Sequence, residues 1–168
     1  IERGAEWFTS IGPSHSTGPK LFCISGPVKR LGCYEAPMTI TVRELIERDD
    51  MGGGMLPGKR VKAVAPGGLS MGFLTADELE MKMDFEDPRK YGLLGLGTAA
   101  AVVIDEGTDL RVVMRNVARF YGTESCGQCT QCREGTAWMH KIATRIAMGA
   151  GRLADLDILL ETARNMGM

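Results

Sequence analysis

Long hydrophobic runs are absent from this chain of 168 residues. The longest uninterrupted apolar stretch is residues 99–104, far short of the roughly 20 residues with which a helix spans a bilayer. Direct membrane insertion is therefore not expected. The first residues have neither the basic-then-apolar pattern of an export signal nor the composition of a transit peptide. Excess charge is absent too: 20 Lys+Arg against 21 Asp+Glu leave a net charge of −1. No global basic field exists to draw in nucleic acid or an anionic surface. Histidine is scarce, at His15 and His140 alone. The cysteines number five, and an odd count argues against a closed disulfide framework. Without an export signal the compartment is expected to be reducing, where clustered thiols more often serve metals or redox chemistry than crosslinks.

The chain is 44% hydrophobic and 24% charged, a globular composition and too apolar for a disordered one. At this length roughly 70% of the unfolded surface should be buried, so neither metal nor disulfide is needed merely to fold. It begins at Ile1 and stops within a helical pattern, which predicts a segment of a longer polypeptide.

Residues 2–8 read as the end of a helix, and residues 12–19 as a loop in which His15 is a solvated side chain. Residues 21–25 read as a strand closed by Gly26-Pro27, and a second extended piece runs over residues 33–38. Thr41 is a candidate N-cap with Glu44 at the capping-box position. Further strands are expected at residues 61–65 and 99–105. Two strands, a helix and then further strands predict an α+β fold of β-grasp (ubiquitin-like) type. From Thr108 the period switches to 3.6 residues: Leu110, Val113, Met114, Val117 and Tyr121 lie on one helical face. Trp138, Met139, Ile142, Ala143 and Ile146 mark a second helix. Leu153, Leu156, Leu160 and Ala163 mark a third. Short connections imply an antiparallel α-helical bundle, incomplete because a fourth helix normally closes it. The methionines read as core and surface filler.

Three motifs fail on context. Gly53–Arg60 nearly spells a phosphate-binding loop, but Arg60 stands where Ser or Thr should hold magnesium, and a strand pattern follows where a helix should open. Gly92, Gly95 and Gly97 precede a strand, so no helix N-terminus is on offer to a pyrophosphate. Cys126-Gly127-Gln128-Cys129 has the form of a thioredoxin-type pair, but a helix comes before it and a third cysteine follows at the same spacing.

Cys126-x-x-Cys129-x-x-Cys132 survives. Three thiolates at this spacing can wrap one side of an iron–sulfur cubane while the curled backbone aims N–H groups at the sulfurs. Gly127 permits a left-handed turn in the wrap, and Arg133 and the following helix N-terminus add positive potential. A fourth ligand is needed. A two-cluster ferredoxin would carry a cysteine and then proline a few residues on, whereas Thr136-Ala137 stand here. Zinc more often takes two separated pairs. His140 is the nearby nitrogen candidate, set against a packing role. Cys23 and Cys33 read as buried or half-buried thiols of the β-rich part.

The segment from Glu124 to Thr136 closely resembles the cluster signature of the NADH-binding flavoprotein subunit of respiratory complex I (NADH-quinone oxidoreductase). The resemblance extends through Lys20-Leu21-Phe22, Ala65-Pro66-Gly67-Gly68, Met83-Asp84-Phe85, Gly95-Leu96-Gly97-Thr98-Ala99 and Arg119-Phe120-Tyr121. One departure is Gln131, where the family usually has proline; it is not a ligand position. The resemblance implies that residues 1–19 are the tail of a flavin/NADH-binding domain, 20–106 a β-grasp domain and 107–168 a truncated iron–sulfur-binding helical bundle. It implies a 4Fe–4S cluster on Cys126, Cys129 and Cys132, with the fourth ligand beyond residue 168, and FMN and NADH bound by an upstream domain. It implies NADH dehydrogenase (quinone) activity for the whole enzyme and none for these residues alone. Its partners would be other peripheral-arm subunits, including an iron–sulfur subunit. The location would be the cytoplasmic face of the cell membrane, or the matrix side in mitochondria. The diaphorase subunits of NAD-dependent hydrogenases and formate dehydrogenases share the signature. A non-catalytic zinc-binding interaction module is the alternative of a different class.

Overall fold

In the first strand, β1 (Pro19–Ser25), Phe22 and Ile24 are buried while Leu21, Cys23 and Ser25 are exposed, the period of two that belongs to a sheet with one covered face. The structure is a computed structural model and describes residues 2–167. It forms two units, Ile1–Gly107 and Thr108–Met168.

A short helix, α1 (Gly4–Thr9), precedes β1. Strand β1 pairs antiparallel with β2 (Gly32–Pro37), placing Phe22 opposite Tyr34 and Cys23 opposite Cys33. Helix α2 (Val42–Glu47) follows, then β3 (Val61–Ala65), β4 (Leu74–Thr75), a 3-10 turn at Ala76–Glu78, α3 (Asp87–Lys90) and β5 (Ala100–Asp105). Strand β5 lies parallel to β1 and antiparallel to β3, which pairs antiparallel with β4. The sheet order is β2-β1-β5-β3-β4. A hairpin, a helix and a last strand slotted beside the first make the β-grasp arrangement, and the fold is α+β as the sequence predicts.

Helix α2 starts where the capping box says it should. The Thr41 hydroxyl accepts the Glu44 N–H at 3.1 Å, and the Glu44 carboxylate accepts the Thr41 N–H at 2.9 Å. The helix buries Val42, Leu45 and Ile46 in a core with Phe22, Ile24, Val64 and Leu74. Each such side chain, fully buried, contributes about 1.5–3 kcal/mol. Met38, Met51, Met81 and Met83 complete that core. Gly26, just after β1, has φ +108°, and a Cβ there would lie 2.2 Å from the Val103 carbonyl oxygen, so the close approach of β1 to β5 requires glycine.

The glycine-rich loops do structural work. After α2, the N–H groups of Gly52, Gly53 and Gly54 donate back to the carbonyls of Leu45, Arg48 and Ile46 at 2.8–3.1 Å; they close the helix end and are not directed at a phosphate. Gly97 packs against the Gly67 carbonyl, which a Cβ would meet at 2.3 Å.

His15 is an exposed loop residue, as the sequence predicts, and it also reaches a buried acid. Its Nε2 lies 3.3 Å from the buried carboxylate of Asp84, and the buried Ser16 hydroxyl accepts the Phe85 N–H at 3.2 Å. Asp84 also accepts the N–H groups of Glu86 and Asp87 at 2.9 and 2.6 Å. Burial alone would raise its pKa, but these backbone donors and His15 outweigh that and hold it below its ordinary value.

The second unit contains α4 (Leu110–Glu124), α5 (Thr130–Ala147) and α6 (Ala154–Met166). Asp109 caps α4, its carboxylate accepting the Arg111 N–H at 2.9 Å. His140 Nδ1 approaches the Arg115 carbonyl at 3.3 Å, and Gly122 faces Thr136, so α4 and α5 run antiparallel. Arg145 meets Asp155 while Gly135 meets Met166, so α5 and α6 are antiparallel too. Two sequence assignments shift here. Trp138 is 55% exposed although it marks the helical face of α5, and Leu153 lies outside α6. Asp155 and Thr162, not the leucines, are the buried residues of α6; Leu156 and Leu160 stay more than half exposed. Among the described residues no helix is long and apolar enough to cross a membrane.

Candidate metal centre

Residues 125–129 connect α4 to α5, and the three clustered cysteines straddle this junction. Cys126 lies in the connection, Cys129 is the N-cap of α5, and Cys132 sits three residues into the helix. Gly127 has φ +77°, a left-handed turn between Cys126 and Cys129 that a larger residue would strain. The Ser125 hydroxyl accepts the Gly127 N–H at 3.3 Å and lies 3.5 Å from the Cys132 sulfur. Arg133 braces the same turn, donating to the Gly127 carbonyl at 2.6 Å and to Glu134 at 3.0 Å.

All three thiols are free; Cys126 and Cys129 are exposed and Cys132 is half-buried. No side chain caps α5: Cys129 stands at the N-cap and makes no capping bond, where Ser, Thr, Asp or Asn is the usual choice. The first N–H groups of an 18-residue helix therefore open beside the thiols, together with the positive end of the helix dipole. Among the described residues no three or more His, Cys, Asp or Glu side chains are gathered as a metal-binding group. The three cysteines thus share one junction, but their sulfurs are not converged. Their donor chemistry fits an iron–sulfur group: three thiols, which bind iron once deprotonated, beside a helix start that favours the negative charge they acquire.

The other candidates are committed elsewhere. The Thr136 hydroxyl donates to the Cys132 carbonyl at 2.7 Å and is buried. His140 packs against the α4 backbone, and its separation of eight positions from Cys132 corresponds to about 12 Å of helix rise. Gln131, the departure from the family pattern, occupies the first turn of α5, where proline is equally at home. Cys23 and Cys33 are exposed on the first unit's sheet, not buried or half-buried as the sequence suggests. One supporting residue escaped the sequence reading: Gly135 is buried, and a Cβ there would lie 2.6 Å from the Met166 sulfur, so α6 packs against bare backbone one turn beyond Cys132.

Residues 112–168 match the family described as the NADH-ubiquinone oxidoreductase-F iron–sulfur binding region. That match covers most of the second unit. Over nearly its whole length the chain is homologous to the F subunits of NADH-quinone oxidoreductases. It is 46% identical over 159 residues to the F 2 subunit of the NADH-quinone oxidoreductase of Rhizobium meliloti (strain 1021), covering 95% of this chain and 37% of that protein. It is 41% identical over 167 residues to the corresponding F subunit of Rickettsia felis, covering 99% of this chain and 39% of that protein. The chain thus spans under two fifths of the length of these curated relatives. Among solved structures it resembles a chain of an NAD+-reducing [NiFe]-hydrogenase in the air-oxidized state, with a TM-score of 0.85 and 32% identity over 98% of this chain and 27% of that one.

Proposed function

We propose that Cys126, Cys129 and Cys132 are three ligands of a 4Fe–4S cluster and that this chain is the electron-transfer part of an NADH-quinone oxidoreductase F subunit. The observation that carries the reading is the placement of three free thiols around the uncapped start of α5. A bound iron–sulfur cluster supplies one-electron transfer at a potential set by its charge, hydrogen bonds and exposure. The chain's own residues hold and tune it. Gly127 turns the backbone, the α5 N-terminus and Arg133 bring positive potential to the thiolates, and Gly135 lets α6 close over the helix that carries Cys132. The second unit contains no further cysteine, so the fourth ligand is proposed to come from outside residues 1–168.

In the same reading residues 1–19 are the tail of a flavin- and NADH-binding domain, 20–106 a β-grasp domain and 107–168 the cluster-binding bundle. FMN and NADH are bound upstream, and these residues alone do not oxidise NADH. The partners are other peripheral-arm subunits, one of them an iron–sulfur protein, on the inner face of the cell membrane or the mitochondrial matrix side. The likeness to the NAD+-reducing hydrogenase favours a second reading, a hydrogenase diaphorase subunit; the higher identity to the quinone oxidoreductase relatives favours the first. The test is metal content and visible absorption of the full-length protein purified anaerobically. Iron with acid-labile sulfide and broad visible absorption supports the cluster. Zinc with no visible absorption rejects it and leaves a zinc-binding interaction module.

A further inference from the structure

Cys23 and Cys33 are a further pair of cysteines, carried by the first unit. They are paired residues of the β1–β2 ladder, and both are exposed. Their position in that ladder fixes how near they stand. The Cys23 N–H donates to the Ala99 carbonyl at 3.1 Å, on the β5 side and away from β2. Pro19 and Pro37, paired in the same register an even number of residues away, have no N–H to exchange. Both facts put Cys23 and Cys33 at a non-hydrogen-bonded pair, where opposing Cα atoms are about 4.5 Å apart and side chains are closest. A disulfide needs a Cα separation of about 4.4–6.8 Å. The neighbouring Cys23 thiol, with a smaller effect of desolvation, pushes the Cys33 thiol above its ordinary pKa.

We propose that Cys23 and Cys33 are a reversible dithiol–disulfide pair that ties the edge strand β2 to β1 when the surrounding low-molecular-weight thiol pool is oxidised. The oxidant is a small disulfide such as oxidised glutathione. The thiolate of one cysteine attacks it, forming a mixed disulfide and releasing one thiol. The second cysteine then attacks the protein sulfur of that mixed disulfide, closing the Cys23–Cys33 bond and releasing the second thiol. The pair gives up two electrons and two protons, which leave on the two released thiols. Solvent exposure gives the oxidant access, and β2 is the outermost strand at its end of the sheet, so closure requires no core residue to move. Because the thiolate is the attacking species, exchange should quicken as pH rises.

The reaction is read in the full-length protein by equilibrating it with reduced and oxidised glutathione, blocking free thiols and mapping tryptic peptides by mass. Lys29 and Arg30 lie between the two cysteines, so trypsin separates residues 21–29 from residues 31–43 unless a disulfide joins them. The expected result is loss of both thiols together, with the two peptides joined under oxidised glutathione and separated again by dithiothreitol. In Cys23→Ser the joined species disappears and Cys33 accumulates as its glutathione adduct, with circular dichroism unchanged because both side chains are exposed. Separate glutathione adducts on Cys23 and Cys33 in the unsubstituted protein would overturn the proposal. So would two thiols that stay free under oxidised glutathione.

Discussion

Arg145 of α5 donates through Nε to the carboxylate of Asp155 at 2.9 Å, and Asp155 is wholly buried at the start of α6. The same carboxylate accepts the Arg152 N–H at 2.8 Å. One buried acid thus fixes the turn into α6 and docks that helix on α5, the helix that carries Cys132. Breaking such a pair from one side leaves an uncompensated buried group, which is why the two residues act as a unit.

Acid should loosen α6 first. The hydrogen bond from Arg145, followed by the Arg152 N–H, holds the Asp155 carboxyl well below the usual carboxylate range against the opposing effect of burial. A carboxyl depressed on folding contributes stability that is complete above its ordinary pKa and is lost as pH falls toward the folded value. Hydrogen exchange of α6 amides should therefore be much faster in Asp155→Asn than in the unsubstituted protein at neutral pH. That difference should shrink below about pH 4, where ordinary carboxyls protonate. A difference that stays constant into acid would show that Asp155 acts by shape and not by charge.

The Thr41 cap makes a quantitative prediction for the first unit. Thr41→Ala removes the acceptor for the Glu44 N–H and the partner of the capping box, and should cost about 1 kcal/mol, within the usual range of about 0.5–2 kcal/mol. The midpoint of urea unfolding, followed by a probe in this unit, measures it. No shift in midpoint would mean that packing of Leu45 and Ile46 alone fixes the helix.

Gly26→Ala should cost more, at least about 1–3 kcal/mol for the backbone conformation alone, because the new methyl also meets the Val103 carbonyl oxygen. Faster exchange of the β1 and β5 amides should accompany the loss. A neutral substitution would mean that β1 and β5 can separate without consequence.

How much of this was legible depended on how local the signal is. Strand β3 was readable at its observed bounds, and the Thr41–Glu44 box identified the start of α2, because alternation and capping are properties of neighbouring residues. The short β4, the 3-10 turn and α3 were not read from the sequence. Thr75 and Glu78 nevertheless repeat the capping-box spacing, with the Glu78 carboxylate accepting the Thr75 N–H at 2.7 Å, and could have flagged that turn. The exposure of Cys23 was hidden because Leu21, Phe22, Cys23 and Ile24 are all apolar by type, so composition alone does not say which alternate set faces water. The pairings of Cys23 with Cys33, His15 with Asp84 and Arg145 with Asp155 depend on register and packing between elements, which a linear sequence does not display. The spacing of Cys126, Cys129 and Cys132 was readable outright, since a ligand triplet on one loop and helix start is local. That the start of α5 has no capping side chain emerged only with the helix boundary.

A cysteine-by-cysteine count of the cluster tests the ligand assignment at its root. Cys129→Ser, Cys23→Ser and Cys33→Ser variants of the full-length protein are purified anaerobically, assayed for iron and acid-labile sulfide per chain, and reduced for electron paramagnetic resonance. Cys129→Ser should lose or severely alter the 4Fe–4S signal with a matching fall in iron and sulfide, while Cys23→Ser and Cys33→Ser keep both at the unsubstituted level. An unchanged signal in Cys129→Ser, or its loss in Cys33→Ser, would contradict the assignment.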